Sequence, residues 1–339
     1  MPSDARAQEF GFSSVSRNSQ MSSSTSSSQM RAVFVTDYGG TDKLHLANID
    51  VPEIGVRDLL VQVKAAGVNV VDTMFREGYM GTNVFPLVMG SDFSGIVVKV
   101  GAEVTEFKAG DEVFGYKLMG NGTYAEFASV PAAYTAHKPQ SLSFNEAAGL
   151  PCVGLTAYLA ITEALKVKAD ETVVVTAATG GVGSIAVQLC RHVGAHVIAT
   201  ASAQNHQFIQ QLGAHEVIDY TQGDWVEAVK ALYPTGVDVV LTCIAGETKR
   251  LAPGAIRDGG RLCWISGEEQ FGPPMERGIQ GWYASGRPEA WVLSALGKIA
   301  DSGHLQVPIE EVFTLEMASE AHKRVEGGHT RGKLVISVS

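Results

Sequence analysis

Apolar positions along the chain fall into two textures that meet near residue 150. From Met30 onward, short segments alternate apolar and polar residues, the period of a strand with one buried face. Residues 31–35 (RAVFV), 58–64 (DLLVQVK) and 95–100 (GIVVKV) each predict a strand. Gly101, Gly110, Gly115, Gly120 and Gly122 punctuate the stretch that follows as turns. This part predicts a compact, mostly β unit. After residue 145 the pattern lengthens. Residues 146–166 read as helix around Pro151, and strict alternation of strand and helix then begins. Strands are expected over residues 171–178, 196–201, 216–219, 237–243 and 261–265, with helices over 182–193, 203–212, 225–232 and 247–257. Near-continuous apolar strands separated by helices predict a parallel, doubly wound sheet. A helix over 290–301 and an alternating segment over 332–338 close the chain, and the last strand is expected to return to the β-rich unit. The predicted organisation is a β-rich domain over 30–150, completed by 288–339, and a parallel-sheet domain over 151–287. There is no internal repeat.

Residues 1–29 share neither texture. The stretch 21–29 reads MSSSTSSSQ, with nothing to bury, and predicts a disordered tail. It lacks the apolar core of a secretory signal. Its serines with Arg6 and Arg17 give a faint mitochondrial presequence signal, against which Asp4 and Glu9 count. An added remnant, or a start upstream of a native Met30, fits equally well.

Charge and cysteine content narrow the function classes. With 26 Lys and Arg against 36 Asp and Glu, the net charge is -10. That sign opposes binding to a phosphate backbone or an anionic membrane surface. The most apolar run, 147–161, contains Pro151 and soon meets Thr162 and Glu163, so it reads as a buried core segment and not a membrane span. Cys152, Cys190, Cys243 and Cys263 form no CxxC pair, and reduced thiols in the cytoplasm are the expectation.

The candidate chemistry begins after the strand predicted at 171–178. Residues 177–183 read AATGGVG and lead into a helix. This AxxGxxG spacing is a variant of the dinucleotide fingerprint. Gly180 lets the backbone approach a pyrophosphate, Gly183 lets helix and strand pack closely, and the helix N-terminus faces the anion. Thr179, Gly180, Gly181, Val182 and Gly183 are therefore candidate cofactor residues. A second strand follows about 20 residues on, as the fingerprint requires. It ends at Thr200-Ala201-Ser202 with no acidic residue, where an NAD-selective site places one for the ribose 2′-hydroxyl. The usual basic partner for a 2′-phosphate is missing too. Ser202, His206 and Tyr220 remain as polar candidates, and NADPH is the expected cofactor. A packing role for Tyr220 at a strand end is the alternative.

Motifs from Met30 to the C-terminus resemble the quinone oxidoreductases, the zinc-free branch of the medium-chain dehydrogenase/reductase superfamily. They are Met30-Arg31-Ala32-Val33, Tyr38-Gly39-Gly40, GVNVVDT at 67–73, GSDFSG at 90–95, FKAGDEV at 107–113, GTYAE at 122–126 and GLTAY at 154–158. The resemblance implies a GroES-like β-rich catalytic domain, a Rossmann domain, and an active site in the cleft between them. It matches Asn69, Ser91 and Cys152 to the Cys, His and Cys that hold catalytic zinc in relatives. One soft ligand cannot fill a site that needs three, so no metal is expected and Cys152 reads as a wall residue.

By the same resemblance, Asn69 and Asp72 sit beside the nicotinamide and Thr156 binds its carboxamide. Tyr79 matches a proton-donating tyrosine of 2-enoyl thioester reductases, or else is a rim residue. Quinone oxidoreductases often carry a tyrosine where this chain has Met74. Ile244, Ala245, Ser266 and Trp282 are expected cofactor contacts at strand ends, and Trp282 with Tyr283 either walls the pocket or packs in the core. Lys333 matches a position near the cleft, with a solvated strand-end lysine as the alternative. Loops 79–85 and 270–278 would shape the pocket.

The implied function is NADPH-dependent reduction of quinones or conjugated enones. The alternatives are reduction of a C=C bond in an enal, enoyl thioester or biosynthetic intermediate, and a non-catalytic NADPH-binding protein. Beyond a small conjugated substrate, a homodimer paired through the Rossmann sheet edge is expected, with no nucleic acid or membrane partner.

Overall fold

A computed structural model describes residues 28–81, 84–118, 122–267 and 272–338. The expected tail lies outside the described residues except at its end, where Gln29 already belongs to a strand.

The β-rich unit contains β1 (Gln29–Val35), β2 (His45–Asp50), β3 (Asp58–Val68), α1 (Val70–Glu77), β4 (Leu87–Val88), β5 (Asp92–Val100), β6 (Glu112–Tyr116), β7 (Phe127–Pro131) and β8 (Thr135–His137). β1 pairs antiparallel with β2 and β4, while β3 is the hub of a larger, mostly antiparallel sheet, where it pairs with β5 and β7. Its inward residues Leu59, Val61, Val63 and Ala65 are buried, as the alternation demands.

Two helices, α2 (Phe144–Gly149) and α3 (Pro151–Leu159), lead out of that unit, the second opened by Pro151 at its first position. Next come β9 (Thr172–Val175), α4 (Gly181–Val193), β10 (His196–Thr200), α5 (His206–Gln211), β11 (Glu216–Ile218), α6 (Trp225–Leu232), β12 (Val237–Thr242), α7 (Glu247–Leu251), β13 (Ile256–Trp264) and β14 (Gln280–Tyr283). These strands form one six-stranded parallel sheet in the order β11-β10-β9-β12-β13-β14. Numbered within the sheet this is 3-2-1-4-5-6, the order of a Rossmann dinucleotide fold, whose strand order reverses between β9 and β12.

Within the parallel-sheet domain, the helix expected over 247–257 and the strand after it depart from expectation. The helix expected over 247–257 is only α7 and a single 3-10 turn, Ala252–Ala255, because Pro253 and Gly254 stop it. The chain is extended from Ile256, so β13 begins earlier than the predicted 261 and shifts register across Gly259 and Gly260.

The chain closes with α8 (Ala290–Asp301), β15 (Ile309–Thr314), α9 (Ala318–Glu326) and β16 (Lys333–Ser337). β16 does return to the first unit, pairing antiparallel with β3 from Leu334↔Val68 to Ser337↔Ala65. That register brings Lys333 beside Asn69. No helix among the described residues is long and apolar enough to cross a membrane.

Candidate active site

Residues 177–183 form a tight turn from β9 into α4. Ala177 turns the chain out of β9 with φ +47, a left-handed conformation uncommon for a residue with a Cβ. Its N–H donates to the Thr200 hydroxyl at 3.2 Å, which ties the turn to β10. Gly183 has no room for a side chain, since a Cβ there would lie 2.4 Å from the Ala177 carbonyl oxygen and 2.7 Å from Ala178 Cα. Gly180 differs, because the nearest atom to a Cβ built there is 3.5 Å away, so its outer face is open. The first turn of α4 leaves N–H groups of Gly181, Val182 and Gly183 without intrahelical acceptors, pointing to that open side. These features fit a pyrophosphate.

The cradle is bonded to the far end of the chain. Gly332 N–H donates to the Thr179 carbonyl at 2.7 Å, and Gly180 forms a parallel bridge with Gly332. Gly332 itself needs its missing side chain. Its φ is +86, and a Cβ would meet the Pro308 carbonyl oxygen at 2.3 Å.

One residue later, the Lys333 side chain enters a buried polar cluster. Lys333 is 4% exposed, not a solvated strand-end lysine. Its ammonium donates to the Val68 carbonyl at 2.7 Å and to the Asn69 amide oxygen. An ammonium can only donate, so the Asn69 oxygen must face it and the amide NH2 must face away. One N–H of that group donates to Asp92 at 2.9 Å. The other has no protein partner among the described residues.

Asp92, absent from the expected site residues, is the centre of this cluster. It is fully buried, and its second oxygen accepts the Cys152 N–H at 2.9 Å. Burial raises its carboxyl from the ordinary 3.8 to about 7, against the Lys333 charge and the Asn69 bond, which pull it down. The signal was an acid inside the otherwise apolar run around GSDFSGIVV. The folded protein therefore holds a proton that the unfolded chain releases, so stability is expected to fall as pH rises from about 4 to about 7, by at most about 1.4 kcal/mol per pH unit. Urea unfolding of the protein and of Asp92→Asn across that range should give different slopes. Parallel profiles would exclude Asp92 as the titrating group.

Asp72 lies beside this cluster, at the start of α1. It is 1% exposed, and it accepts from the Ser91 hydroxyl (2.7 Å), the Asn69 backbone N–H (2.8 Å) and the Tyr124 hydroxyl (3.2 Å). Burial raises its carboxyl, and those donors with Lys333 oppose the rise. Both oxygens are spent inside the protein, where Asp72 completes the capping box that starts α1. It positions Asn69 and has no oxygen turned to the cleft.

Tyr79 is not brought to the cluster. It follows the C-cap of the eight-residue α1, whose ends are about 12 Å apart, and it is 73% exposed. Thr156 is buried, its hydroxyl donating to the Cys152 carbonyl at 2.8 Å. Ser202 accepts from Asn205 at 3.2 Å and His206 faces the Ala201 carbonyl at 3.2 Å, both at the end of β10. Tyr220 stands past the neighbouring β11, 44% exposed and so not packed into the strand end. Ile244 and Ala245 are exposed just beyond β12, on the other side of the strand-order reversal. The Ser266 hydroxyl is buried without a partner among the described residues. On β14, Tyr283 packs against the core around Trp264, whereas Trp282, half-buried, alternates to the other face. Residues 82–83 and 270–271 of the pocket-shaping loops lie outside the described residues.

The positions matched to zinc ligands do not supply a zinc set. The Asn69 amide is held by Lys333 and Asp92, Ser91 donates to Asp72, and burial pushes the Cys152 thiol up, away from the thiolate a metal needs. Among the described residues, no group of three or more His, Cys, Asp or Glu could hold a metal ion.

Comparison with known proteins decides the family. Residues 55–140 match the alcohol dehydrogenase GroES-like domain, and residues 212–336 match the zinc-binding dehydrogenase domain. Human quinone oxidoreductase is 32% identical over 322 residues, covering 91% of this chain and 97% of that protein. The chain belongs to the quinone oxidoreductase-like branch of the medium-chain dehydrogenase/reductase superfamily. A second relative, the zebrafish (Danio rerio) protein named NAD(P)H oxidoreductase RTN4IP1, mitochondrial, is 31% identical over 355 residues, 91% of either chain. Among solved structures, Escherichia coli quinone oxidoreductase complexed with NADPH superposes with a TM-score of 0.82 at 27% identity, over 91% of this chain and 99% of that one. As a member of this branch the protein is an oxidoreductase, with a GroES-like domain and a Rossmann-like domain.

Proposed function

We propose that the protein is an NADPH-dependent, zinc-independent reductase acting on quinones or conjugated enones. Reduced nicotinamide supplies the hydride when the cofactor is bound. The observation that carries the reading is the spare N–H of Asn69, aimed by a buried ammonium and a buried carboxylate. An acceptor activated by its own conjugation gains charge on oxygen as it is reduced, and a fixed donor in a desolvated site stabilises that charge without a metal. Lys333 and Asp92 hold the donor, Asp72 fixes the helix that carries it, and the Gly180–Gly332 bridge links it to the cradle. NADPH over NADH is supported by the absence of an acid at Ser202 and by the nearby His206 and Tyr220.

Two variants test the assignment. Asn69→Ala is expected to lower kcat about 100-fold, the scale of losing one oxyanion donor. Tyr79→Phe should leave turnover within about twofold, since an exposed hydroxyl away from the cluster has no proton to place. The reverse pattern would restore Tyr79 as the donor. NADPH oxidation with 1,4-benzoquinones, 2-alkenals and enoyl thioesters separates the substrate classes. Consumption of alkenals or thioesters alone would replace quinone reduction by C=C reduction, and no turnover with any acceptor would favour a binding protein.

The outer edge of β14, where Gln280 and Gly281 are exposed, is the proposed pairing edge of a homodimer, checked by light scattering. All four cysteines are unpaired, which suits a reducing compartment. The cytoplasm is the proposed site, and the name of the zebrafish relative makes the mitochondrion the alternative to test by fractionation.

A further inference from the structure

The proposed 2′-phosphate site has polar groups but no fixed cation on its own strands. Ser202 and His206 close β10, and Tyr220 follows β11. Asp219 beside Tyr220 adds a carboxylate, held below its usual range by the Thr221 hydroxyl and N–H. A phosphate there needs a positive charge from elsewhere.

Arg331 brings one from the C-terminal segment. Its neighbour Gly332 is bonded to the cradle through Thr179 and Gly180, so the Arg331 side chain starts one residue from the loop that faces the pyrophosphate. Its guanidinium lies over the Phe208 ring, 5.2 Å from the centroid. Phe208 is on α5, two residues beyond His206. The acid nearest along the bonded network is Glu310, which accepts the Arg331 backbone N–H at 3.1 Å while its other oxygen is paired with the Arg324 guanidinium at 2.7 Å. Among the described residues no carboxylate forms an ion pair with the Arg331 side chain. An exposed guanidinium stacked on an aromatic, unneutralised, at the rim of a dinucleotide cradle has the planar donor fork that phosphate oxygens match.

We infer that Arg331, from its seat on Phe208, is the residue that ligates the 2′-phosphate and sets the preference for NADPH over NADH. The inference rests on the NADPH reading above. It transfers cofactor choice from the turn after β10, where the usual basic partner is missing, to the segment that also carries Lys333. One stretch of chain, residues 331–333, would then bind the phosphate end of the cofactor, brace the pyrophosphate loop and aim the Asn69 donor.

The test uses the full chain and two adenosine probes, adenosine 2′,5′-bisphosphate and 5′-AMP, titrated calorimetrically. The unmodified protein should prefer the bisphosphate. Arg331→Gln should weaken the bisphosphate about 10- to 100-fold, the scale of losing charge-assisted hydrogen bonds, and leave 5′-AMP within about twofold. Arg331→Lys should recover part of the loss, and the melting temperature of both variants should match that of the parent. If the parent discriminates and Arg331→Gln discriminates equally well, the inference fails and the NADPH reading survives. If Arg331→Gln weakens both probes alike, Arg331 braces the cradle and does not read the phosphate, and the inference also fails. If the parent binds both probes equally, the NADPH reading itself falls and takes the inference with it.

Discussion

Gly183→Ala is expected to remove most cofactor binding and to destabilise the fold at the same time, whereas Gly180→Ala, three residues earlier, should weaken binding alone. The Cβ added at Gly183 would sit 2.4 Å from one backbone oxygen and 2.7 Å from a Cα, both in the turn that leaves β9. Neither is the end of a flexible side chain, so relief requires α4 to lift away from the strand. Overpacking of this kind costs about 1–3 kcal/mol. For a chain this long, that is roughly 1–2 °C of melting temperature per kcal/mol. Lifting the helix by even about 1 Å moves the first-turn N–H groups off the pyrophosphate, with a loss on the order of 100-fold. At Gly180 the backbone is extended (φ −73, ψ 178) and a Cβ meets nothing closer than 3.5 Å. A methyl group there projects into the open side of the cradle and obstructs only the ligand. Thermal melts and NADPH fluorescence titrations of the two variants measure both effects. Equal melting temperatures for Gly183→Ala and the parent would refute the steric account, and unchanged NADPH affinity in Gly180→Ala would move the cofactor elsewhere.

That contrast also indicates what the sequence could disclose. The parallel sheet was legible because strands buried on both faces read as apolar runs, and because helix period and strand period differ. Trp225–Leu232 and Ala290–Asp301 begin and end where their patterns do. The antiparallel unit was legible only in its longest strands. β4, with two residues, and β8, with three, are too short to show a period. Helix α1 was hidden by inversion. It buries Asp72 and Arg76 and exposes Val70 and Met74, the reverse of an ordinary amphipathic face. Arg76 can be buried because Glu77, Glu326, the Gly39 carbonyl and His322 take its N–H groups. Those partners come from three places in the chain, and no local window contains them. The turn between β9 and α4 followed from spacing because a fingerprint is local. The Asn69 cluster did not, since Lys333 stands 264 residues away and reaches it only through the register of β16 on β3. Resemblance supplied Asn69 and Lys333 separately, and the fold supplied the bond between them.

That bond should be worth more to the protein than any other side-chain contact in the cleft. Lys333→Met removes the ammonium from between Val68 and Asn69 and leaves two buried carboxylates, Asp72 and Asp92, without the cation that steadies both. Breaking a buried charge arrangement by deleting one partner typically costs 3–5 kcal/mol, roughly, because the remaining charge is uncompensated. Most of that cost belongs to the acids and not to the lost hydrogen bonds. Asp92→Asn in the Lys333→Met background should therefore restore part of the stability, with a favourable coupling of about 1–3 kcal/mol. Activity should not follow stability in the double variant. With no ammonium to hold its oxygen, the Asn69 amide is free to turn over, and kcat should stay low while KM for NADPH changes little. Urea unfolding of the parent, the two single variants and the double variant closes the cycle. If Lys333→Met costs less than about 1 kcal/mol, or if the two losses simply add, then Lys333 is only a packing residue and the aimed donor loses its support.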